Sequence, residues 1–153
     1  MTIFKPGETA PRILIADDDA AIVDLLADRS GRMGFEVETA LDGTRALRRI
    51  RQGGLDTLII DVRMPELDGL SVSAHILEHS RRPLHVIVAT GSRDAETIEI
   101  CDSMGALYVR KDAGFWGNLD LALIEIYPES AERIRQWGSR PTTRSSAFEG
   151  VAG

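Results

Sequence analysis

The chain has 153 residues, of which 43% are hydrophobic and 27% are charged, and its formal net charge is −6. This length suits one domain with a sizeable core, and the composition is that of an ordinary globular protein. The acidic balance argues against non-specific binding to nucleic acid. The sequence contains neither the roughly 18 consecutive apolar residues that a membrane-spanning helix needs nor a secretory signal at its start.

The chain contains a single cysteine, Cys101. It therefore cannot form an intrachain disulfide, which suits a protein of the reducing cytoplasm. At an apolar position of a helical pattern, this thiol is expected to be a small buried hydrophobic group.

The pattern along the chain predicts three segments. Residues 1–11 are punctuated by proline and glycine and are predicted to form a flexible leader. Residues 12–127 alternate short apolar runs with amphipathic stretches, which is typical of a single strand–helix domain. Residues 128–153 are predicted to hold one short extra helix, over 129–137, followed by a polar, disordered tail rich in proline and serine.

Five apolar runs predict strands, and five amphipathic stretches predict the helices that follow them. The predicted strands cover residues 13–16, 35–39, 58–60, 86–89 and 107–110. Gly34 and Gly105 stand where the first and fourth helices should end, because glycine favours the left-handed conformation of a helix terminus. Repeated strand–helix units connect through right-handed crossovers and build a parallel sheet.

The polarity of the strands also predicts their order. Residues 35–39 alternate apolar with polar side chains, as an edge strand half open to water does. The runs at 13–16, 58–60 and 86–89 are apolar throughout, as central strands covered on both faces are. We therefore predict an α/β fold with a doubly wound, five-stranded parallel sheet in the flavodoxin-like order 2-1-3-4-5.

Polar side chains follow four of the five runs. The first run leads into Asp17 and Asp18, the third into Asp61, the fourth into Thr90 and the fifth into Lys111. Ligands bind outside the carboxyl ends of the strands in such sheets, so these groups should converge. Clustered carboxylates suit Mg²⁺ and repel one another without a cation. An aspartate can accept a phosphoryl group as an acyl phosphate, while a metal and a lysine neutralise the transferring oxygens.

Each of these residues alone has a plainer explanation. Aspartates are common at helix N-termini that follow strands, where they cap the helix and favour its dipole. Asp19 is predicted to serve the first helix in this way. The combination of two adjacent acids, a third acid, a threonine and a lysine on four strand ends favours a phosphoryl-accepting site, with Asp61 as the nucleophile.

One segment of the chain resembles a known family. Residues 61–69 read Asp-Val-Arg-Met-Pro-Glu-Leu-Asp-Gly. This sequence is similar to the segment around the phosphoacceptor of bacterial response-regulator receiver domains, the CheY-like domains of two-component signalling. The similarity extends over residues 11–127 and includes the other strand ends.

The resemblance implies a phosphoacceptor and a metal site. Asp61 would be the phosphorylated residue. Asp17, Asp18, Asp61 and the backbone carbonyl of Arg63 would bind Mg²⁺, for which Mn²⁺ could substitute.

The resemblance also implies a conformational switch. Thr90 and Lys111 would contact the phosphoryl group, and Tyr108 matches the aromatic residue whose rotamer follows the position of the threonine. A phosphoryl group adds a charge of about −1.5 to −2 and biases a state that already exists. Its arrival would change the surface made by the fourth helix, fifth strand and fifth helix.

The chain departs from the family pattern at Asp112. Receiver domains usually have a proline directly after the lysine, often with a cis bond. A cis bond before a non-proline residue costs about 3–4 kcal/mol, so we expect a trans bond or a remodelled loop here. The carboxylate of Asp112 would also bring a negative charge near Lys111.

The resulting prediction is a stand-alone receiver domain, not an enzyme acting on an outside substrate. It would take its phosphoryl group from a sensor histidine kinase or a phosphotransfer protein and act on an unidentified protein target. A homodimer through the fourth helix, fifth strand and fifth helix is left open.

Two alternatives come from other classes. An adaptor could keep the fold and bind a partner irrespective of phosphorylation, with Asp112 as its only support. A phosphatase or phosphotransferase with an aspartyl nucleophile usually has a second acid two residues later, and Arg63 occupies that position.

Overall fold

The computed structural model describes residues 2–79, 84–91 and 94–140, over which strands and helices alternate. The strands are β1 (Arg12–Ala16), β2 (Glu36–Ala40), β3 (Thr57–Ile60), β4 (His85–Thr90) and β5 (Leu107–Arg110). The helices are α1 (Ala20–Met33), α2 (Gly43–Arg51), α3 (Gly69–His79), α4 (Ala95–Met104), α5 (Phe115–Ile126) and α6 (Ala131–Gly138), with a short 3₁₀ helix over Pro128–Ser130. None of the helices in these ranges is both long and apolar enough to cross a membrane.

The strands form one parallel sheet in the order β2-β1-β3-β4-β5, which confirms the predicted fold class. Ala16 of β1 lies beside Ala40 of β2 and Ile60 of β3. Ile60 in turn lies beside Val88 of β4. The carboxyl ends of these strands therefore meet along one edge of the sheet.

Helices cover both faces of the sheet. Because successive side chains of a strand point to opposite faces, Ile13 and Ile15 of β1 pack beneath α1, α5 and α6. Leu14 and Ala16 face the other layer, which contains α2, α3 and α4. All four residues of β3 are buried, as the continuous apolar run predicted for a central strand.

Helix ends follow the predicted signals. The side chain of Asp19 caps α1 by accepting hydrogen bonds from the backbone N–H groups of Ala21 and Ile22, at 3.0 and 3.4 Å. Gly34 and Gly105 end α1 and α4 in the left-handed conformation, with φ of 109° and 71°. The cap and both glycine stops were readable from the sequence.

The N-terminal residues pack on the domain at two positions. Ile3 is buried, and its N–H donates a hydrogen bond of 2.7 Å to the carbonyl of Met33. The Phe4 ring meets Phe35 edge to face at 5.0 Å. The segment that we expected to be flexible therefore contributes to the core, although the division into leader, domain and tail stays a prediction. The tail beyond residue 140 lies outside the described residues.

Helix α6 packs against α1 and α5 through a cluster around Arg29. The guanidinium of Arg29 donates two hydrogen bonds to the carboxylate of Asp120, at 2.8 and 3.0 Å. It also lies over the rings of Trp116 and Trp137, 5.1 and 4.7 Å from their centroids, in cation–π geometry. Ile134 of α6 is fully buried in the core between the sheet and the layer of α1, α5 and α6.

Candidate functional site

The structure brings the predicted polar residues to one edge of the sheet. Asp17 and Asp61 directly follow β1 and β3, Thr90 ends β4, and Lys111 directly follows β5. One carboxylate oxygen from each of Asp17, Asp18 and Asp61 lies within 4.8 Å of the others. The sequence interpretation thus placed three acids and a lysine correctly, while their functional roles stay predictions.

The cluster is buried on one side and open on the other. Asp17 is 2% exposed, Thr90 1% and Lys111 6%, whereas Asp61 is half-buried and Asp18 is exposed. Among the described residues, the side of Asp18 and Asp61 is therefore the open side of the cluster. The buried side chains form the floor of the site.

Lys111 links the two more buried carboxylates. Its ammonium donates a hydrogen bond of 2.8 Å to Oδ2 of Asp61 and a second one to Oδ2 of Asp17. Burial, the largest single effect, favours the neutral amine, but the two hydrogen bonds and both negative charges outweigh it. The pKa of Lys111 is therefore raised above its ordinary value, and the side chain stays a cation.

Asp17 is a carboxylate in an environment that disfavours its charge. Burial raises the pKa of Asp17, and the hydrogen bond from Lys111 and one from the N–H of Asp19, at 2.9 Å, oppose that rise only in part. The charge of Asp61 raises it further. An additional cation among these carboxylate oxygens would therefore stabilise the site by reducing the repulsion between its negative charges.

The donor set fits a hard divalent cation. Mg²⁺ prefers oxygen ligands and usually keeps several waters, which the exposed side of the cluster can supply. Asp17, Asp18 and Asp61 provide the carboxylate oxygens. The backbone N–H of Arg63 donates to Oδ1 of Asp61 at 3.3 Å, so the Arg63 backbone adjoins the site. The role of the Arg63 carbonyl as a ligand stays a prediction.

Two glycines hold the loop after β3 in place, and the sequence interpretation missed both. A Cβ atom on Gly69 would lie 1.9 Å from the backbone oxygen of Asp61. A Cβ atom on Gly43 would lie 1.8 Å from the backbone oxygen of Leu67. The loop thus folds against the starts of α3 and α2 only because these side chains are absent. The Asp-Gly pairs at 42–43 and 68–69 were the available signal.

Thr90 lies on β4, the strand beside β3, and Tyr108 lies on β5, one strand further from Asp61. The carbonyl of Thr90 accepts a hydrogen bond of 2.9 Å from the N–H of Lys111, which ties the end of β4 to the end of β5. Tyr108 of β5 lies level with Val88 of β4, and its half-buried ring packs on the core beneath α2, α3 and α4. Burial raises the pKa of the Tyr108 phenol. Its part in a switch stays a prediction.

Asp112 organises the loop between β5 and α5. The described residues contain no cis peptide bond, in agreement with the expected trans bond after Lys111. Oδ1 of Asp112 accepts a hydrogen bond of 2.9 Å from the N–H of Gly114, and its carbonyl accepts one of 3.0 Å from the N–H of Phe115. Oδ2 lies 3.0 Å from Nε of Arg110. The carboxylate is thus paired with Arg110 and the loop backbone.

A comparison with protein families and curated sequences points to one group. The model of the family described as "Response regulator receiver domain" matches residues 13–114. The transcriptional regulatory protein PrrA of Mycobacterium bovis is 44% identical over 66 residues, which are 43% of this chain and 28% of PrrA. A protein-glutamate methylesterase/protein-glutamine glutaminase of Anaeromyxobacter dehalogenans is 38% identical over 82 residues, 54% of this chain and 23% of that protein. The chain spans about a quarter of the length of these relatives.

Solved structures show the same architecture. A CheY-like response regulator receiver domain protein from Methanospirillum hungatei has 26% identity and a TM-score of 0.68, covering 84% of this chain and 98% of that one. The CheX–CheY–BeF3–Mg complex from Borrelia burgdorferi has a TM-score of 0.70 at 22% identity, covering 76% of this chain and 89% of the matched chain. The second likeness concerns the fold alone.

Proposed function

This chain belongs to the response-regulator receiver domain family, whose general function is phosphorylation-based switching, and we propose that its switch is phosphorylation of Asp61. The observation that carries the proposal is the position of the Asp61 carboxylate. It is half-buried, within reach of two other carboxylates, and bonded to the Lys111 ammonium at 2.8 Å. An acid in this setting has a cation at hand for the charge that a phosphoryl group brings.

The proposed reaction is transfer from a phosphohistidine. An oxygen of Asp61 attacks the phosphorus, the phosphorus–nitrogen bond breaks, and its electron pair returns to the histidine nitrogen. The product is an acyl phosphate on Asp61. Later attack by water at the phosphorus restores the carboxylate and releases phosphate.

The residues of this chain would position the reacting groups and balance their charge. Asp17, Asp18 and Asp61 would hold Mg²⁺, or Mn²⁺ in its place, which supplies positive charge at the transferring oxygens. Lys111 would bond a phosphoryl oxygen with the ammonium that now bridges two carboxylates. Thr90 would offer its hydroxyl to another oxygen from the adjoining strand end.

Existing contacts would transmit a structural change at the phosphorylated Asp61 to β5. The backbone hydrogen bond between Lys111 and Thr90 joins the ends of β4 and β5, so a shift of either reaches the other. Tyr108 lies three residues before Lys111 and would change its position with them. The surface made by α4, β5 and α5 would then differ between the two states.

The proposed partners are proteins. A sensor histidine kinase or a phosphotransfer protein would donate the phosphoryl group, and an unidentified protein would read the altered surface. One structurally similar chain, at 17% identity, is the receiver domain of Ssk1 in a co-crystal with the histidine phosphotransfer signalling protein Ypd1. We propose the cytoplasm as the place of action and no turnover on an outside substrate.

The test is the intact mass of the protein after incubation with a small-molecule phosphodonor and Mg²⁺. We expect wild type to gain one phosphoryl group and Asp61→Asn to gain none. A reaction without Mg²⁺ should be much slower. Absence of any gain in wild type, with folding confirmed by circular dichroism, would overturn the proposal in favour of a phosphorylation-independent adaptor.

A further inference from the structure

Two helices of the same layer expose opposite charges in the same pattern. Both sets repeat at every third residue, and all six side chains are exposed. Residues at i, i+3 and i+6 lie along one side of a helix, so each set forms a stripe. The basic stripe of α2 consists of Arg45, Arg48 and Arg51, and the acidic stripe of α4 consists of Glu96, Glu99 and Asp102.

The acidic stripe has no partner in the part of the chain that the structure describes. Within those residues, no side-chain hydrogen bond or ion pair joins Glu96, Glu99 or Asp102 to another group. Asp102 also stands in the last turn of α4, where the helix dipole disfavours a negative charge. Glu96 stands in the first turn, where the dipole favours its charge, but among the described residues no contact offsets the mutual repulsion of the three carboxylates.

The basic stripe is only partly neutralised. Arg45 lies 3.3 Å from the carboxylate of Asp42, and Arg51 lies 3.5 Å from Nε2 of His75, while no ion pair of Arg48 is found among the described residues. The three positive charges of the stripe contrast with the net charge of −6 of the whole chain, whereas Arg49 of the same helix is paired with Glu38 at 2.7 and 2.8 Å. The stripe is a local basic surface on an acidic protein.

The two stripes lie level with each other on either side of α3. Helix α3 contacts both α2 and α4, and all three pack on the same core cluster. Since α2 and α4 each follow a strand of the parallel sheet, both start at its carboxyl edge and run in the same direction. Arg45 and Glu96 thus lie in the first turns, and Arg51 and Asp102 in the last.

We propose that two copies of this chain associate face to face through the α2–α3–α4 layer, about a two-fold axis parallel to α3. Such a rotation exchanges the two sides of the layer and keeps the direction of its helices. The basic stripe of each copy then meets the acidic stripe of the other in the same order. The paired residues are Arg45 with Glu96, Arg48 with Glu99, and Arg51 with Asp102, and each pair occurs twice.

Two further features fit this arrangement. Two-fold symmetric dimers are the commonest oligomers, and this one satisfies every stripe without leaving an open end. Helix α3 would lie on the axis, and its outer surface carries the small side chains of Ser71 and Ala74 in its first half and the exposed Glu78 near its end. Small side chains allow two helical layers to approach closely. This face shares α4 with the α4–β5–α5 surface but uses α2 and α3 in place of β5 and α5.

The association is expected to be weak and sensitive to salt. Exposed ion pairs are individually weak, and ions screen them over short distances. The net charge of each copy also opposes association. The dimer should therefore accumulate at high protein concentration and low ionic strength and dissociate when salt is added.

Sedimentation equilibrium on four samples tests the proposal. They are wild type, the α2 variant Arg48→Glu with Arg51→Glu, the α4 variant Glu99→Arg with Asp102→Arg, and an equimolar mixture of the two variants. In a two-fold dimer each reversed charge occurs at two equivalent contacts. We therefore expect the association constant of either variant alone to be at least about tenfold lower than that of wild type. In the mixture every stripe meets its opposite, so association should return to the wild-type strength.

A matched control reverses two exposed arginines on the other side of the molecule. Arg32→Glu with Arg135→Glu changes the net charge by the same amount as the α2 variant and should keep the wild-type association constant. All variants should still gain a phosphoryl group on Asp61, which separates this proposal from the proposed function. A wild type that stays monomeric at low salt, a mixture that fails to recover, or masses that grow beyond the dimer would each overturn the proposed arrangement.

Discussion

Lys111 is the residue on which the charge balance of the site depends. Its ammonium is the cation bonded to Asp17 and Asp61, which together with Asp18 place three negative charges within a few ångströms. Like charges held this close repel strongly, and burial at Asp17 intensifies the effect. Lys111 and a divalent cation bound at this cluster would therefore compete for the same oxygens.

Replacing Lys111 should strengthen metal binding while it impairs phosphorylation. In Lys111→Met the oxygens of Asp17 and Asp61 lose their ammonium partner, so we expect Mg²⁺ to bind about tenfold more tightly in isothermal titration calorimetry. Phosphorylation of Asp61 should become slower because one positive charge is lost. Lys5→Met, at an exposed position, should leave both quantities unchanged. Weaker Mg²⁺ binding by Lys111→Met would show that the two cations do not compete.

The half-buried phenol of Tyr127 makes the stability of the folded protein depend on pH in the alkaline range. Its hydroxyl lies 2.6 Å from the hydroxyl of Thr57, and burial raises the pKa of the phenol above its ordinary value of 10.0. Above that pH the unfolded chain loses the phenol proton while the folded protein keeps it. Since the folded state then binds more protons, its stability must fall as the pH rises.

Tyr127→Phe should flatten this alkaline loss of stability. At neutral pH the variant should lose about 1 kcal/mol, because the hydrogen bond to Thr57 is gone. Urea unfolding at a series of pH values from neutral to alkaline measures both effects. If wild type and variant lost stability in parallel as the pH rose, Tyr127 would not be the titrating group.

The loop between β5 and α5 shows how an element can be fixed without proline. Asp112 accepts the N–H of Gly114, its carbonyl accepts the N–H of Phe115, and its carboxylate pairs with Arg110. These contacts restrict the backbone directly after Lys111. The contacts of Asp112 thus hold the backbone at the position where the family pattern has a proline.

Replacing Asp112 should loosen this loop. We expect Asp112→Ala to lower the free energy of unfolding by about 1 kcal/mol, since the N–H of Gly114 loses its acceptor. Phosphorylation of Asp61, followed by intact mass, should also be slower because Lys111 is held less firmly. Asp112→Asn keeps the acceptor and loses the charge, so it should behave like wild type in both measurements. Equal losses in the two variants would instead assign the effect to the ion pair with Arg110.

At the scale of the whole molecule, the two ends of the described chain pack together on the domain. Arg133 of α6 donates a hydrogen bond of 3.0 Å to the carbonyl of Ile3, and Ile134 is fully buried in the core cluster that also contains Ile3. The residues outside the repeated strand–helix units thus contribute to the same core as β1 and α5.

The contribution of α6 can be measured with one truncation. Ile134→Ala should lower the free energy of unfolding by about 2–5 kcal/mol, as expected for a fully buried aliphatic side chain. Leu121→Ala, at a side chain that is 60% exposed, should change it little. Both values come from urea denaturation. A small effect at Ile134 would mean that α6 adds little to the stability of the domain.

The sequence predicted the sheet and its polar edge because both leave local patterns. Apolar runs such as 58–60 identify central strands, and the residue after each run identifies the site. Contacts between distant residues leave no such pattern. Arg29 and Asp120 are 91 positions apart, and Ile3 and Arg133 are 130 apart. Their pairing follows from the assembled helices, so the packing of the leader and the cluster around Arg29 could not be predicted.

The cluster around Arg29 makes the intrinsic tryptophan fluorescence of the protein a probe of one region. The chain has two tryptophans, and both rings lie against this one guanidinium. Trp116 also stands next to Phe115, whose N–H closes the loop that begins at Lys111. Tryptophan fluorescence therefore reports on the contact between α1, α5 and α6. A change of emission upon phosphorylation would reveal that the signal reaches the side of the sheet opposite to the stripes.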